Sequence, residues 1–141
     1  MEIVTLSQDF YKRYSSCKEI LKKENLPYLM VLITVDDQTF AIPFRSHIRH
    51  KYVYWTDESN LCGLDFTKAV LLSSEDDIAR KNVQIRQNEF DTIKGKEYII
   101  TKKFSTFLRT YKKAYARMDV ERNKILIQNS ALQYFLNDIL K

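Results

Sequence analysis

Glycine, proline, cysteine and histidine are all scarce in this chain, with two of each in 141 residues. Gly63 and Gly95 stand far apart, so no glycine-rich phosphate loop and no Gly-x-Ser-x-Gly turn is present. Nucleotide hydrolysis on such a loop and dinucleotide redox chemistry are therefore not expected. The shortage of glycine and proline also leaves little material for long flexible loops. Cys17 and Cys62 are isolated, without a Cys-x-x-Cys pair or a tight Cys/His cluster. That pattern fits neither a disulfide scaffold nor a cysteine-held metal. His47-x-x-His50 lacks a nearby third ligand and a His-Glu-x-x-His frame, so zinc is not expected either. No cofactor is implied. The signatures of RRM and KH modules are missing. The longest apolar stretch, 28–33, is far too short to cross a bilayer. The start Met1-Glu2-Ile3-Val4 has no basic stretch leading into an apolar run. No membrane association and a reducing, cytoplasmic setting are expected.

What the chain does have is 45% apolar residues, 29% charged residues and a net charge of +5. This composition predicts one globular domain spanning 1–141 with a real core. The positive balance suits a polyanionic partner without identifying one.

The patterning changes along the chain. After a β-prone start at 2–6, Ser7 is a candidate N-cap. Phe10, Tyr14, Cys17 and Leu21 then recur at helical spacing, with Asn25 and Pro27 closing that first helix. Residues 28–35 read as a buried strand, Asp36-Asp37-Gln38 as a turn and 39–42 as the return strand, which Pro43 stops by withholding a donor. Segment 44–52 has no period and reads as a loop. Strands are expected at 51–55, 69–72 and 82–86. The last third turns helical. A short helix through Phe90 and Ile93 is closed by Gly95, and a longer one runs from Ile100 to Met118. A final stretch covers 124–141. Strands gathered early and helices late argue for an α+β fold, with a compact, curved antiparallel β-barrel core surrounded by helices.

The most informative segment is Phe44-Arg45-Ser46-His47-Ile48-Arg49-His50-Lys51-Tyr52, which holds both histidines of the chain. Histidine titrates near neutrality and can exchange a proton at working pH. Arginine and lysine hold phosphate and stabilise charge developing on it, and the Ser46 hydroxyl can donate to a phosphate oxygen. RNA carries its own nucleophile, the 2′-hydroxyl. A base, an acid and cations around the phosphate therefore suffice to cleave it. The candidate catalytic set is Arg45, Ser46, His47 and His50, with either histidine moving the proton. Arg49 and Lys51 are candidate phosphate contacts. The plainer alternative is a solvated basic loop that only grips phosphate.

The helix around 96–118 pairs an apolar face with a basic one that includes Lys102, Lys103, Arg109 and Lys112. Such a stripe can track a phosphate backbone, and nearby Tyr98 and Tyr111 are available for stacking on bases. The plainer alternative is a helix kept in solution by its lysines. Tyr11 and Tyr14 nearly share a face of the first helix. They read as partly core, with base stacking as the lesser alternative.

With Phe40-Ala41-Ile42-Pro43-Phe44-Arg45-Ser46-His47-Ile48-Arg49-His50-Lys51-Tyr52, Gly63-Leu64-Asp65-Phe66-Thr67-Lys68-Ala69-Val70 and, more weakly, Lys94-Gly95-Lys96-Glu97-Tyr98, the chain resembles the ToxN/AbiQ family of type III toxin–antitoxin endoribonucleases, nearest its CptN and TenpN branches. The resemblance implies a barrel core similar to the Kid/MazF toxins. It implies metal-independent cleavage of cellular mRNA that leaves 2′,3′-cyclic phosphate ends. It also implies an inhibitor that is a repeated pseudoknot RNA, processed by the toxin, each RNA bridging two toxin chains in a closed assembly that requires no direct protein homo-oligomer. The family's Pro-x-Thr/Ser-Ser loop falls on Pro43 to Ser46, with Arg45 where ToxN has threonine, and the lysine that follows there has no clean match. The Tyr-x-x-Tyr pair of the family falls on Tyr11 and Tyr14, and a strand lysine of ToxN meets Tyr28. The rival reading is a non-catalytic RNA- or DNA-binding module.

Overall fold

The computed structural model describes every residue except 23–27, 82, 84 and 86. Its centre is the hairpin of β2 (Met30–Val35) and β3 (Gln38–Arg45), paired in register from Met30–Pro43 to Val35–Gln38. The register leaves Asp36 and Asp37 as a two-residue loop, and both have positive φ, 51° and 63°. Two positive φ values in succession give a tight turn whose twist matches the strands. Phe40, Ala41, Ile42 and Pro43 are all buried, so β3 is covered on both faces and reads as a continuous apolar run.

β3 does not stop at Pro43. The Phe44 N–H donates to Leu29 O at 3.0 Å, on the β2 side. Backbone donors alternate sides along a strand, so the donor that Pro43 lacks would face the opposite edge. On that edge β3 changes partner. It pairs with β6 (Val70–Leu72) up to Ala41–Val70, then with β5 (Cys62–Asp65) from Phe44–Leu64. The proline falls in the gap between them and costs little.

The rest of the sheet is antiparallel, in the order β4-β5-β3-β2-β1-β7, with β6 beside β3. Here β1 is Ile3–Leu6, β4 is Val53–Asp57 and β7 is Ile78–Arg80. The α+β class holds, but among the described residues the sheet forks at β3 and stays open instead of closing into a barrel. β5, β6 and β7 have only three or four residues each, too few to carry a ladder round to closure. The strand expected at 82–86 falls partly outside the described residues, and β7 forms earlier.

Helices complete the core. α1 is Gln8–Arg13, capped by the Ser7 hydroxyl, which accepts from Phe10 N at 3.1 Å. It is much shorter than its apolar spacing predicts. Ser15 and Ser16 favour turns over helix, and from Ser15 the backbone bonds reach back three residues, as in Cys17 to Tyr14 O and Ile20 to Cys17 O. Ile20 is nonetheless buried, so the apolar pattern reports packing and not helix. Arg13 pairs with buried Asp77, which also caps the turn before β7, where Ser73 N donates to it at 2.9 Å. α2 (Gln87–Ile93) ends as expected at Gly95, with φ of +72°. α3 (Glu97–Ala116) buries Ile100, Phe104, Phe107, Leu108, Tyr111 and Ala114 at helical spacing. The Phe104 ring meets Phe40 at 5.1 Å and Phe66 at 5.4 Å, joining helix to sheet. The last helical stretch is broken. α4 (Glu121–Asn129) stops at Ser130, whose buried hydroxyl accepts from Leu132 N, and a 3₁₀ turn at 131–135 leads into α5 (Leu136–Ile139). Among the described residues no helix is long and apolar enough to cross a membrane.

Gly63 sits where β5 presses on β4. A Cβ there would lie 2.4 Å from Tyr54 O and 3.1 Å from Trp55 Cα. Backbone cannot yield as a flexible side chain does. Gly63→Ala is expected to destabilise the fold by about 1–3 kcal/mol, read as a lower urea midpoint at unchanged slope.

Candidate functional site

Asp65 is completely buried at the end of β5. An isolated carboxylate there would be costly, so its surroundings must supply donors. Three elements do so. Arg45, at the end of β3, donates from Nη1 to Oδ2 at 2.7 Å. Thr67 donates from its backbone N at 3.0 Å and its hydroxyl at 2.6 Å to Oδ1. His50, in the 46–52 loop, places Nε2 at 3.0 Å from the same oxygen. Burial by itself would raise the Asp65 pKa. The bonds from His50 and Thr67, the His50 charge and the Arg45 bond outweigh it and hold the carboxyl below its ordinary value.

The same network fixes His50. Its Nδ1 accepts the Tyr52 N–H at 3.0 Å, so the proton of the neutral ring lies on Nε2 and points at Asp65. Both ring nitrogens are engaged. His50 is thus placed to position the loop, and moving a proton would cost it a bond to Asp65 or to Tyr52. Ile48 pins the loop a second time, buried and donating its N–H to Leu61 O at 3.0 Å.

Between these anchors the tip is open. Ser46 and His47 are exposed, and His47 Nδ1 lies 3.1 Å from Ser46 Oγ. His47 has φ of +60°, a conformation that costs a non-glycine residue energy and recurs at functional sites. The geometry offers a hydroxyl and an imidazole side by side in water, next to an arginine whose direction is set by a buried acid. That is a workable set for proton transfer beside a phosphate.

Two clefts flank Tyr52. One, of about 350 Å³, is lined by Arg45, His50, Tyr52 and Thr67 on the sheet side, with Lys68, and by Arg122, Ile125 and Asn129 of α4. Lys68 reaches across to donate to Asn129 O at 2.7 Å. Partial burial lowers its pKa, opposed by the charge of Asp65 and reinforced by Arg45. The other, of about 340 Å³, lies between Lys51-Tyr52-Val53 and the Lys103, Thr106 and Thr110 side of α3, over Phe66 and Phe107. Neither cleft is lined by an Asp or Glu.

The remaining sequence candidates divide. Lys51 and Lys103 line the second cleft, and Arg109, which does not line it, donates from Nη2 to the hydroxyl of the lining residue Thr106 at 3.2 Å. Lys102 stands outward over the exposed Tyr98 ring, 5.5 Å from its centroid. Lys112 follows Lys103 by nine positions, about two and a half turns, and so lies on the opposite flank of α3. Arg49 is exposed on the loop. Tyr111, proposed for stacking, is fully buried and unavailable. Tyr14 packs on Phe10 and Phe135, and Tyr11 packs edge-on to Phe10 with its hydroxyl buried. Burial, and then the nearby Tyr28, push the Tyr11 pKa up to about 12. Tyr28 is half-buried. These three tyrosines belong to a different region from the Tyr52 clefts, whose linings contain none of them.

Sequence reasoning passed over Asp65, Lys68 and Arg122 as site residues. An acid set among Gly63, Leu64 and Phe66 is a local sign of a buried, paired carboxylate. Arg122 carries no local sign, because only the return of α4 to the sheet brings it to the cleft. No family model, curated protein or solved structure matches this chain.

The Asp65 carboxyl binds its proton more weakly folded than unfolded. Its contribution to stability is therefore complete above the unfolded value of about 3.9 and is lost as pH falls through the lower folded value. Asp65→Asn is expected to remove about 3 kcal/mol at pH 7, because Arg45 loses its counter-charge. Below about pH 4 the variant should also show a flatter loss of stability with acid than the parent, in urea melts taken across pH 2–7.

Proposed function

We propose that this chain is a metal-independent endoribonuclease that cleaves RNA by attack of the 2′-hydroxyl on the adjacent phosphate. The observation that carries the reading is the exposed Ser46–His47 pair, held on an anchored loop that directly follows Arg45, which itself lines a cleft with cations and no acids. In this reading the scissile phosphate lies against Arg45, which spends one N–H on Asp65 and keeps its other donors for the substrate. The Ser46 hydroxyl donates to a non-bridging oxygen. His47 accepts the 2′-hydroxyl proton and returns it to the departing 5′-oxygen. The O2′–P bond forms as the P–O5′ bond breaks, leaving a 2′,3′-cyclic phosphate and a 5′-hydroxyl, and no net proton is consumed. Arg45 and Lys68 stabilise the charge that builds on the phosphate.

The resemblance to the ToxN/AbiQ family extends this proposal to a toxin whose antitoxin is a repeated pseudoknot RNA. An RNA inhibitor is chemically consistent with the site, since the surface that takes a substrate phosphate also takes an inhibitor phosphate.

One observation favours the non-catalytic alternative. With both nitrogens of His50 engaged, His47 alone must serve as base and acid. The two readings separate on incubation of purified protein with single-stranded RNA in EDTA. Cleavage should give 5′-hydroxyl ends. Ser46→Ala and His47→Ala should slow it by about 10²-fold or more while RNA affinity changes little. Intact RNA with only a salt-dependent shift would establish the binding module instead.

A further inference from the structure

The proposed reaction needs a phosphate at Arg45, but the structure offers a second cationic cleft that the reaction does not use. The first cleft carries Arg45, Lys68 and Arg122. The second carries Lys51 and Lys103, with Arg109 bonded to Thr106 of its lining. Among the described residues, Tyr52 is the one that lines both.

The cations at Tyr52 meet no acid within the clefts, since neither lining contains an Asp or Glu, whereas a cleft of about 410 Å³ elsewhere on the sheet is lined by Asp37, Glu75 and Asp138. The floor of the second cleft is aromatic. Phe66 and Phe107 lie beneath it, and the Tyr52 ring packs 5.5 Å from Phe107. Tyr52 is itself held from below, because its backbone N–H is committed to His50. The ring, packed on Phe107, is partly exposed and has an ammonium near it, Lys51 Nζ at 5.5 Å from the centroid.

We propose that Tyr52 is a nucleobase-binding platform, with the phosphates on either side of that base held in the two flanking cationic clefts. The inference rests on the RNA reading above and adds to it a recognition element next to the scissile phosphate. A base has a planar, weakly polar face that gains by stacking on an aromatic ring and has no use for charge. Its phosphates need cations and exclude carboxylates. The alternation of cationic cleft, aromatic plane and cationic cleft repeats the order phosphate, base, phosphate along one nucleotide unit. A base arriving on the ring displaces the exposed Lys51 ammonium, which moves to the phosphate beside it. The base held at Tyr52 neighbours the bond cut at Arg45, so this platform is where sequence preference would arise.

The smallest probe with this order is 2′-deoxyadenosine 3′,5′-bisphosphate, which has one base between two phosphates and no 2′-hydroxyl. Titration followed by tyrosine ring signals in NMR is expected to show binding at millimolar concentration or below. Removing the base, as 2-deoxyribose 3,5-bisphosphate, should weaken binding roughly tenfold, and Tyr52→Leu should weaken binding of the nucleotide by a similar factor without adding to the loss seen with the abasic probe. With single-stranded RNA, Lys103→Gln and Arg122→Gln should each lower the salt slope by about one. No bisphosphate binding, or equal binding of the abasic sugar by the parent protein, would overturn the platform even where Tyr52→Leu failed to fold. RNA cleavage that persists alongside such a result would leave the ribonuclease reading standing. Bisphosphate bound at Tyr52 by a protein that never cuts RNA would keep the platform and overturn the ribonuclease.

Discussion

A single buried carboxylate organises the candidate site of this molecule. Asp65 accepts from the end of β3 through Arg45, from the 46–52 loop through His50 and from its own following turn through Thr67. A charge sealed from water cannot be left unpaired, so the three donors have little freedom to leave. Their positions then fix everything attached to them. Arg45 is aimed into the cleft, His50 carries Tyr52 by a backbone bond, and Ser46 and His47 are held out between the two anchors. The order in the site follows from the cost of disorder at Asp65.

The forked sheet supplies the frame for that interaction. β3 serves β6 along its first half and β5 along its last two residues, so the end of one strand and the end of another meet at Arg45 and Asp65. Pro43 marks the fork, where a missing donor is harmless, and Gly63 lets β4 come close enough to β5 to support it. α3 then seals the other side through Phe104 and Phe107, and its polar flank forms the wall of the second cleft. Core and candidate interface are two sides of the same elements, which is why substitutions at the site are also expected to test stability.

Electrostatics complete the picture. The net charge of +5 would be unremarkable if spread evenly. What matters is local placement, because Arg45, Lys68, Arg122, Lys51 and Lys103 line the two clefts at Tyr52 with no Asp or Glu among the lining residues, while Glu75 and Asp138 of a separate cleft are paired with Lys81 and Lys141. A cationic lining without acids makes the local potential positive.

Much of this was legible in the residues. The turn read at Asp36-Asp37-Gln38, which the structure narrows to Asp36-Asp37, the closure of α2 at Gly95, the apolar stripe of α3 and the loop read at 44–52, of which 46–52 is loop, follow from local rules acting over a few residues. So did the α+β class, from strands early and helices late. The helix beyond Arg13 did not follow, because Cys17 and Ile20 keep helical spacing while packing from turns. The open sheet did not follow either, because pairing is decided between distant strands and β3 changes partner within its own length. The site divided in the same way. The cluster of Arg45, Ser46, His47 and His50 could be read in the sequence because the residues are neighbours there. Only the tertiary structure separated the two histidines, engaging both nitrogens of His50 and leaving His47 in water. It alone brought Lys68 and Arg122 to Arg45, since burial and long-range contact assign those roles and neither is written in any short stretch of chain.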